Sequence, residues 1–416
     1  MRLLHTSDWH LGQMLHHFER RYEHQCFLDW LLQTLEEQRI DALLLAGDIF
    51  DNANPSAASQ QQFYTFLTQA RQRIPHLNTV IIAGNHDSPA RLEAPKPFMQ
   101  LFEVSVMGQV PWLDSEQIDW DSLIIPLKDK QGQIQAWCLA VPFLRPADLP
   151  KLAGDTSYAK GVKALYQQLT ERAISLRQPG QALIALGHCH VSGGKASEDS
   201  ERRIVIGGSE ALPVNLFADE LAYVALGHLH LAQTLGGQTT RRYCGSPLPL
   251  SFAETNYPHQ VLIIELTGEQ VASVETVRVP RFVELLRVPA TPAPLEAVYA
   301  ALQTLPDCED DTDGLANAPY LEVRVKLHEP EPALRKQVES RLQGKAVRLA
   351  KIELSTPQQQ PSDCLASSMT LDQLDKLDPM VLLENLYQQQ YKVELPNDLQ
   401  LAFAELMQVS IMDPQS

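Results

Sequence analysis

Carboxylate, amide and imidazole side chains follow five short apolar runs of the sequence, each where the run ends. Together they form a mixed set of oxygen and nitrogen ligands, which suits Mn²⁺, Fe²⁺ or Zn²⁺ better than the all-oxygen shells of Ca²⁺ or Mg²⁺. The set is too large for one tetrahedral ion, so it predicts two ions sharing a carboxylate. In chain order the residues are Asp8 and His10, Asp48, Asn85 and His86, His188, and His228 and His230.

The most informative of these motifs is the run V-I-I-A-G-N-H-D-S at 80–88. A lone D-x-H pair is often incidental, a G-D pair after a strand is often a turn, and a single histidine at a strand end is often structural. The G-N-H-D tetrad is harder to explain by packing. The ordered series D-x-H, G-D, G-N-H-D, G-H and G-H-x-H is the specific signal for a metal site.

The apolar runs that carry these motifs have the length and continuous apolarity of strands buried on both faces. Helical patterns alternate with the early runs, for example around Phe27 and Leu31 and around Phe63 and Phe66. Alternating strands and helices predict an α/β layered sheet. Ligands of such sheets bind beyond the carboxyl ends of the strands, so we expect the polar residues to line one crevice.

The composition bounds the class of protein. The chain has 416 residues, of which 44 % are hydrophobic and 20 % charged, as in ordinary globular proteins. Its six cysteines form no C-x-x-C pair, and the polar N-terminus lacks the apolar segment of a signal peptide. We therefore expect a cytoplasmic protein with reduced thiols. The net charge of −17 does not by itself favour nucleic acid as a partner.

Shifts in pattern divide the chain into four predicted segments. Residues 1–280 carry the metal motifs, and residues 281–355 read as a small α+β domain with strands at Y-L-E-V-R-V-K-L and A-V-R-L-A-K-I-E-L. Residues 356–369 resemble a linker. Residues 370–416 read as a helical tail whose apolar stripes over 370–411 require docking on this chain or on a partner.

Four basic residues follow the first motif, and their role is open at this point. They could contact phosphate, or they could lie on a solvated loop face. They are His16, His17, Arg20 and Arg21.

The motif series resembles the calcineurin-like metallophosphoesterases, and within them the SbcD family of bacterial nuclease subunits. The segments H-T-S-D-W-H-L-G-Q at 5–13, P-F-L-R-P at 142–146 and Y-C-G-S-P-L-P-L-S-F at 243–252 carry the closer resemblance, which covers residues 1–280. It implies a layered αββα metallophosphoesterase sandwich, a small α+β capping domain and a C-terminal helical tail.

The resemblance also implies a role for each motif residue. Asp8, His10 and His230 would hold one metal ion, Asn85, His188 and His228 the other, and Asp48 would bridge them. His86 would be the catalytic imidazole, and Asp87 would fix its loop or orient neighbouring residues. For Asp51, three residues after Asp48, two interpretations remain: it orients His86, or it caps the following helix.

The implied function is a nuclease with two divalent ions, Mn²⁺ first and Mg²⁺, Fe²⁺ or Zn²⁺ as alternatives. It would act as a 3′→5′ exonuclease at double-strand DNA ends and an endonuclease at hairpins, in DNA repair, recombination and replication. Its expected partners are a second copy and an SbcC-type ATPase, two chains of each. The rivals are a phosphoesterase for other substrates and a non-catalytic scaffold that binds DNA ends.

Overall fold

The computed structural model describes residues 1–114, 117–150, 157–195, 211–308, 317–327 and 331–355, with isolated positions beyond 379. Residues 1–356 form one compact unit, and residues 357–416 form another. The predicted linker lies outside the described residues, as does all of the predicted tail except those isolated positions. In the described part of the chain, the helices are all too short or too polar to cross a membrane.

The strands of the described residues are β1 (Arg2–Thr6), β2 (Met14–Leu15), β3 (Phe18–Glu19), β4 (Ala42–Ala46), β5 (Asn78–Ile82), β6 (Val104–Met107), β7 (Ile124–Lys128), β8 (Ile134–Ala140), β9 (Ala182–His188), β10 (Tyr223–Gly227), β11 (Gln233–Leu235), β12 (Gln238–Tyr243), β13 (Gln260–Thr267), β14 (Gln270–Arg278), β15 (Leu285–Ala293), β16 (Tyr320–Lys326) and β17 (Arg348–Ser355). The helices are α1 (Arg21–Glu37), α2 (Ala57–Arg73), α3 (Pro89–Glu93), α4 (Lys96–Met99), α5 (Tyr158–Leu176), α6 (Leu295–Gln303) and α7 (Leu334–Arg341). Single 3₁₀ turns include Gln100–Phe102 and Phe252–Glu254.

Two six-stranded sheets hold most of the strands. The first has the order β14-β13-β1-β4-β5-β6, in which β1, β4, β5 and β6 run parallel. The second has the order β11-β12-β10-β9-β8-β7, with β12, β10, β9 and β8 parallel. The five strands that carry the motifs are therefore divided between two sheets, with β1, β4 and β5 in the first and β9 and β10 in the second. A single sheet that carried all five would have been a simpler arrangement.

The residues of β1 and β4 alternate between two cores. In the first sheet Leu3 and Leu44 face a core shared with the second sheet and α5, which contributes Leu165. Their neighbours Leu4 and Leu43 face a different core formed with α1 and α2. Every one of these side chains is buried on a strand covered on both faces. The layers are thus helix, sheet, sheet and helix, which confirms the predicted αββα sandwich.

A third sheet follows in the chain, with the parallel order β15-β16-β17. Helices α6 and α7 pack on it through Val298 and Val338 and close a separate small core. Strand β16 is more buried than its alternating pattern predicts, because Glu322 is fully enclosed beside Arg287 and Lys351. The domain boundary at residue 280 stays a prediction.

Candidate metal centre

The carboxyl ends of β1, β4 and β5 in the first sheet meet those of β9 and β10 in the second. The loops that follow bring the predicted residues into one buried cluster. Asp8, His10, Asp48, His188, His228 and His230 are each at most 6 % exposed.

Hydrophobic packing fixes the loop that carries Asp8 and His10. Trp9, between them in sequence, is fully buried, and its ring meets Phe27 and Phe66 edge to face at 5.5 and 5.3 Å. Its indole N–H donates to Thr6 at 2.9 Å. The D-W-H motif therefore combines two polar cluster residues with an apolar anchor.

Four of the cluster residues have left-handed backbone conformations that non-glycine residues rarely adopt. The φ angles are 55° for Asp8, 46° for His10, 49° for Asp48 and 100° for His228. Such conformations cost about 1–3 kcal/mol each and persist where the surrounding structure enforces them. Their concentration here indicates that the backbone is bent to aim side chains at one point.

The glycine of the G-N-H-D motif is needed for close approach. A Cβ atom at Gly84 would overlap the Asp48 carboxylate and its main-chain nitrogen. Only glycine leaves room for the β4 and β5 loops to meet there.

One group of ligand atoms comes from Asp8, His10 and His230, which each offer an atom within 4.8 Å of the others. The Asp8 carboxylate is held by the His228 main-chain N–H at 3.0 Å and by the Ser7 hydroxyl. The Nε2 atom of His10 is buried and has no hydrogen-bond partner in the described part of the chain.

A second group comes from Asn85, His188 and His228. The Asn85 Oδ1 atom lies 3.0 Å from His188 Nε2 and 2.9 Å from His228 Nδ1. His188 Nδ1 donates to the Ala46 carbonyl at 2.8 Å, so Nε2 of the neutral ring carries a lone pair. Two acceptor atoms therefore face each other, an arrangement that requires a cation or a proton between them.

The Asp48 carboxylate joins the two groups. Its Oδ2 atom lies 3.6 Å from His10 Nε2 and 3.4 Å from His188 Nε2. Burial alone would raise the pKa of the Asp48 carboxyl, but the imidazoles, His188 first, hold it well below its usual range. Burial would likewise lower the pKa of His188, yet Asp48 outweighs it and raises that pKa to about 9.

The second group fits a divalent ion. Ligand atoms about 2.1 Å from one ion lie roughly 3.0–3.5 Å from each other, which matches the spacing of the Asn85, His188 and His228 atoms. The donor set is the mixed oxygen and nitrogen set of borderline cations. The structure thus brings together every residue predicted to hold metal.

His86 lies beside this cluster, with its ring 4.8 Å from the His10 ring. Its Nδ1 donates to the main-chain carbonyl of Asp51 at 2.7 Å, and its main-chain N–H donates to Asp48 at 2.8 Å. One ring nitrogen also lies within 4.8 Å of ligand atoms of His10 and Asp48. The prediction that His86 does not bind metal stays a prediction.

Asp51 contacts His86 through its backbone, while its carboxylate lies 3.4 Å from His10 Nδ1. The alternative that Asp51 caps the following helix is wrong, because Ser56 is the N-cap of α2 and accepts from Ser59. The predicted orientation of His86 by the Asp51 side chain stays a prediction, and the observed bond comes from the main chain.

Asp87 ties the loops after β4 and β5 together. Its buried carboxylate accepts the main-chain N–H groups of Ile49 at 3.2 Å, Phe50 at 3.0 Å and Gly84 at 2.8 Å. Burial and, next, the Asp48 charge raise the pKa of Asp87 to about 6.

Sequence reasoning missed several residues that support the cluster. Glu254 is fully buried and accepts from His230 Nδ1 at 2.8 Å, and Ser7 donates to Asp8.

Arg20 is not on a solvated loop face. It is 1 % exposed, forms a double hydrogen bond with Glu23 and donates to the Pro249 carbonyl. No local pattern reveals the contacts of Glu254 with His230 and of Arg20 with Pro249, since each joins distant parts of the chain.

Comparison with known families agrees with this geometry. Residues 1–232 match the calcineurin-like phosphoesterase family. Residues 281–391 match the family described as the type 5 capsule protein repressor C-terminal domain.

Three similar relatives are each named as the SbcD component of the nuclease SbcCD. The protein of Rhodobacter capsulatus is 38 % identical over 367 residues, which is 86 % of this chain and 88 % of that protein. The protein of Escherichia coli K12 is 38 % identical over 291 residues, covering 67 % of this chain and 68 % of its own. That of Bacillus subtilis is 36 % identical over 283 residues, covering 67 % and 69 %.

Replacing Asp87 by alanine tests its role as the tie between loops. Each buried donor left without an acceptor costs about 1–3 kcal/mol, so Asp87→Ala should lower the free energy of unfolding by about 3 kcal/mol. Denaturant titration in the presence of a chelator measures this change.

Asp129 provides the matched control, because its solvent-accessible carboxylate also accepts three hydrogen bonds, from Gln131, Gln133 and Gln135. Water replaces those bonds in Asp129→Ala, so its loss should be much smaller. Equal losses in the two variants would contradict the role given to Asp87.

Proposed function

The chain belongs to the SbcD family of nuclease subunits within the calcineurin-like phosphoesterases, and we propose that it hydrolyses phosphodiester bonds of double-stranded DNA with two divalent ions. The observation that carries this proposal is the pair of adjoining ligand groups that share Asp48, with His86 beside them. Mn²⁺ is the proposed metal, since the donor set mixes oxygen and nitrogen.

The chain's own residues position the reactants. A bound pair of divalent ions supplies positive charge for the phosphoryl oxygens and lowers the pKa of water. Asp8, Asp48 and the imidazoles would hold that charge in place at the ends of the two sheets. Water attacks phosphorus in line with the leaving oxygen, so that a new P–O bond forms, a proton of the water passes to solvent and the P–O bond to the sugar breaks.

His86 assists the departure of the sugar oxygen. Its Nδ1 proton is committed to the Asp51 carbonyl, so Nε2 is the atom that exchanges a proton with the substrate. The protonated ring donates from Nε2 to the leaving oxygen, which departs as a hydroxyl.

The proposed substrates are double-strand ends, cut 3′→5′, and hairpins, cut internally. The names of the relatives support nuclease action. Other phosphoesterases use the same kind of metal site, so substrate assays decide between them. A linear duplex and a hairpin, offered with Mn²⁺ beside an aryl phosphodiester, separate a nuclease from a general phosphodiesterase.

The proposed partners are an SbcC-type ATPase and a second copy of this chain, two plus two. The relatives' name SbcCD describes a complex with a further component. The predicted tail at 370–411 is the segment proposed to dock on the ATPase. The acidic charge of this chain is compatible with DNA binding if cations neutralise the pocket and the ATPase holds much of the duplex.

An exposed apolar patch on the described surface supports the second copy as a partner. Phe98, Leu101 and Phe102 lie within one helical turn and are 71, 76 and 42 % exposed. Three large apolar side chains this exposed and this close favour a protein interface, and a two-fold pair would bring the patch against itself.

Replacing His86 by glutamine separates catalysis from metal binding. We expect His86→Gln to keep two Mn²⁺ ions per chain and to lose about 10²–10⁴-fold in the rate of duplex cleavage, as for loss of a general acid. Metal content by mass spectrometry and single-turnover cleavage measure both quantities.

His76→Gln is the control, because this half-buried histidine lies just before β5, at the end of that strand opposite His86. It should leave cleavage within about twofold, given that a surface change is usually worth under about 0.5 kcal/mol. Full activity of His86→Gln would contradict the catalytic role given to His86.

Asp51→Asn tests the carboxylate beside His10 without removing the carbonyl that holds His86. We expect metal content to be retained and turnover to fall by about tenfold, near the lower limit for loss of an outer-shell partner. Unchanged turnover with intact metal content would leave the Asp51 carboxylate without a catalytic role.

The double variant Phe98→Glu/Leu101→Glu tests the dimer patch. Loss of two central apolar contacts worth about 2 kcal/mol each should convert the dimer to a monomer at micromolar concentration in analytical ultracentrifugation. Leu113→Glu, at a site 68 % exposed outside the patch, should stay dimeric. A double variant that remains dimeric would place the interface elsewhere.

A further inference from the structure

Glu254 is a buried carboxylate outside both ligand groups. We propose that it is a positioning residue for the metal ion that Asp8, His10 and His230 would hold. It holds the His230 imidazole as the Nδ1–H tautomer, so that Nε2 keeps the lone pair that binds a divalent cation. This inference rests on the proposed function, because it takes His230 to be a metal ligand.

The contact between the two side chains is short and enclosed. Glu254 Oε1 lies 2.8 Å from His230 Nδ1, and the two side chains are 0 and 3 % exposed. A carboxylate can only accept at this distance, so the proton is on Nδ1. In a buried site, water cannot take over this role.

Glu254 is itself held in place from several sides. Its Oε2 atom accepts the Leu250 N–H at 2.7 Å. Its main-chain carbonyl accepts from Tyr257 N at 2.9 Å and lies 3.1 Å from His259 Nε2. The carboxylate is therefore a fixed acceptor, which is what orientation of a ligand requires.

The loop before Glu254 is anchored to the first motif of the chain. Gln13 donates to the Leu250 carbonyl at 3.0 Å, and Arg20 donates to the Pro249 carbonyl at 2.7 Å. The segment that carries Glu254 is thus tied to the loop that follows His10, a residue of the same ligand group. This connection keeps His230 in register with Asp8 and His10.

The acceptor for His230 differs from that for His188. The His188 ring donates to a neutral main-chain carbonyl, that of Ala46, at 2.8 Å. The His230 ring donates to a carboxylate, which makes its Nε2 a stronger donor to a cation. Binding of the ion at Asp8, His10 and His230 should therefore depend on the Glu254 side chain, which a substitution can remove. Binding of the ion at Asn85, His188 and His228 should not depend on Glu254.

Glutamine at position 254 has a specific consequence. Leu250 N–H requires the amide oxygen, so the amide NH₂ would face His230 Nδ1 and donate to it. The imidazole proton would then move to Nε2, the atom that must bind the cation. Loss of an outer-shell partner of this kind typically weakens metal affinity by about 10–100-fold.

The experiment is a titration of the metal-free chain with MnCl₂, in which paramagnetic resonance detects free Mn²⁺ and calorimetry gives the two dissociation constants. We expect Glu254→Gln to bind one ion with unchanged affinity and the other about 10–100-fold more weakly. Glu275→Gln removes the same charge from an exposed position on β14 and should bind both ions as the parent does.

Measurement of the unmodified chain covers the case in which Glu254→Gln does not fold. Long-range ¹H–¹⁵N spectra of metal-free protein labelled in histidine, with His230→Gln for assignment, should report the Nδ1–H tautomer at His230. If Glu254→Gln bound both Mn²⁺ ions with unchanged affinity, or if His230 in the parent chain were the Nε2–H tautomer, the role of Glu254 would be overturned. Neither result would contradict the proposed function. A parent chain that binds no Mn²⁺ would instead remove the proposed function.

Discussion

Acceptor atoms crowded together in a buried pocket are the constraint on which the rest of this structure depends. Asn85 Oδ1 lies about 3 Å from both His188 Nε2 and His228 Nδ1, and the Asp48 carboxylate lies next to them. Buried polar groups without compensation cost free energy, and a buried carboxylate costs more. The cluster is therefore stable only with positive charge inside it, and in the absence of metal a proton on His188 supplies part of that charge.

The fold is arranged to meet this constraint. Two sheets end at the same place, and each sheet contributes loops whose side chains converge between them. The backbone of four cluster residues is left-handed, and Gly84 lets two loops approach closely. Asp87 binds those loops through three main-chain N–H groups, and Trp9 anchors the loop after β1 in the helix-facing core. Packing in the two cores thus compensates for backbone strain at the metal centre.

The sequence predicts the local part of this arrangement and fails for contacts between distant segments. The apolar runs identify β1, β4, β5, β9 and β10, and the polar residues at their ends are the cluster. The split of these strands between two sheets does not follow from periodicity, which reports burial and not partners. A charged loop residue is usually exposed, so the pattern around Arg20 does not reveal its buried hydrogen bond to the distant Pro249 carbonyl. Glu254 escapes detection because its link to His230 spans 24 residues with no motif.

Anomalous diffraction at the manganese edge, from crystals of the chain grown with MnCl₂, tests the two-ion centre itself. We expect two peaks, one among Asp8, His10 and His230 and one among Asn85, His188 and His228, both within reach of Asp48. A single peak, or peaks away from these side chains, would contradict the two-ion centre and the hydrolytic mechanism that depends on it.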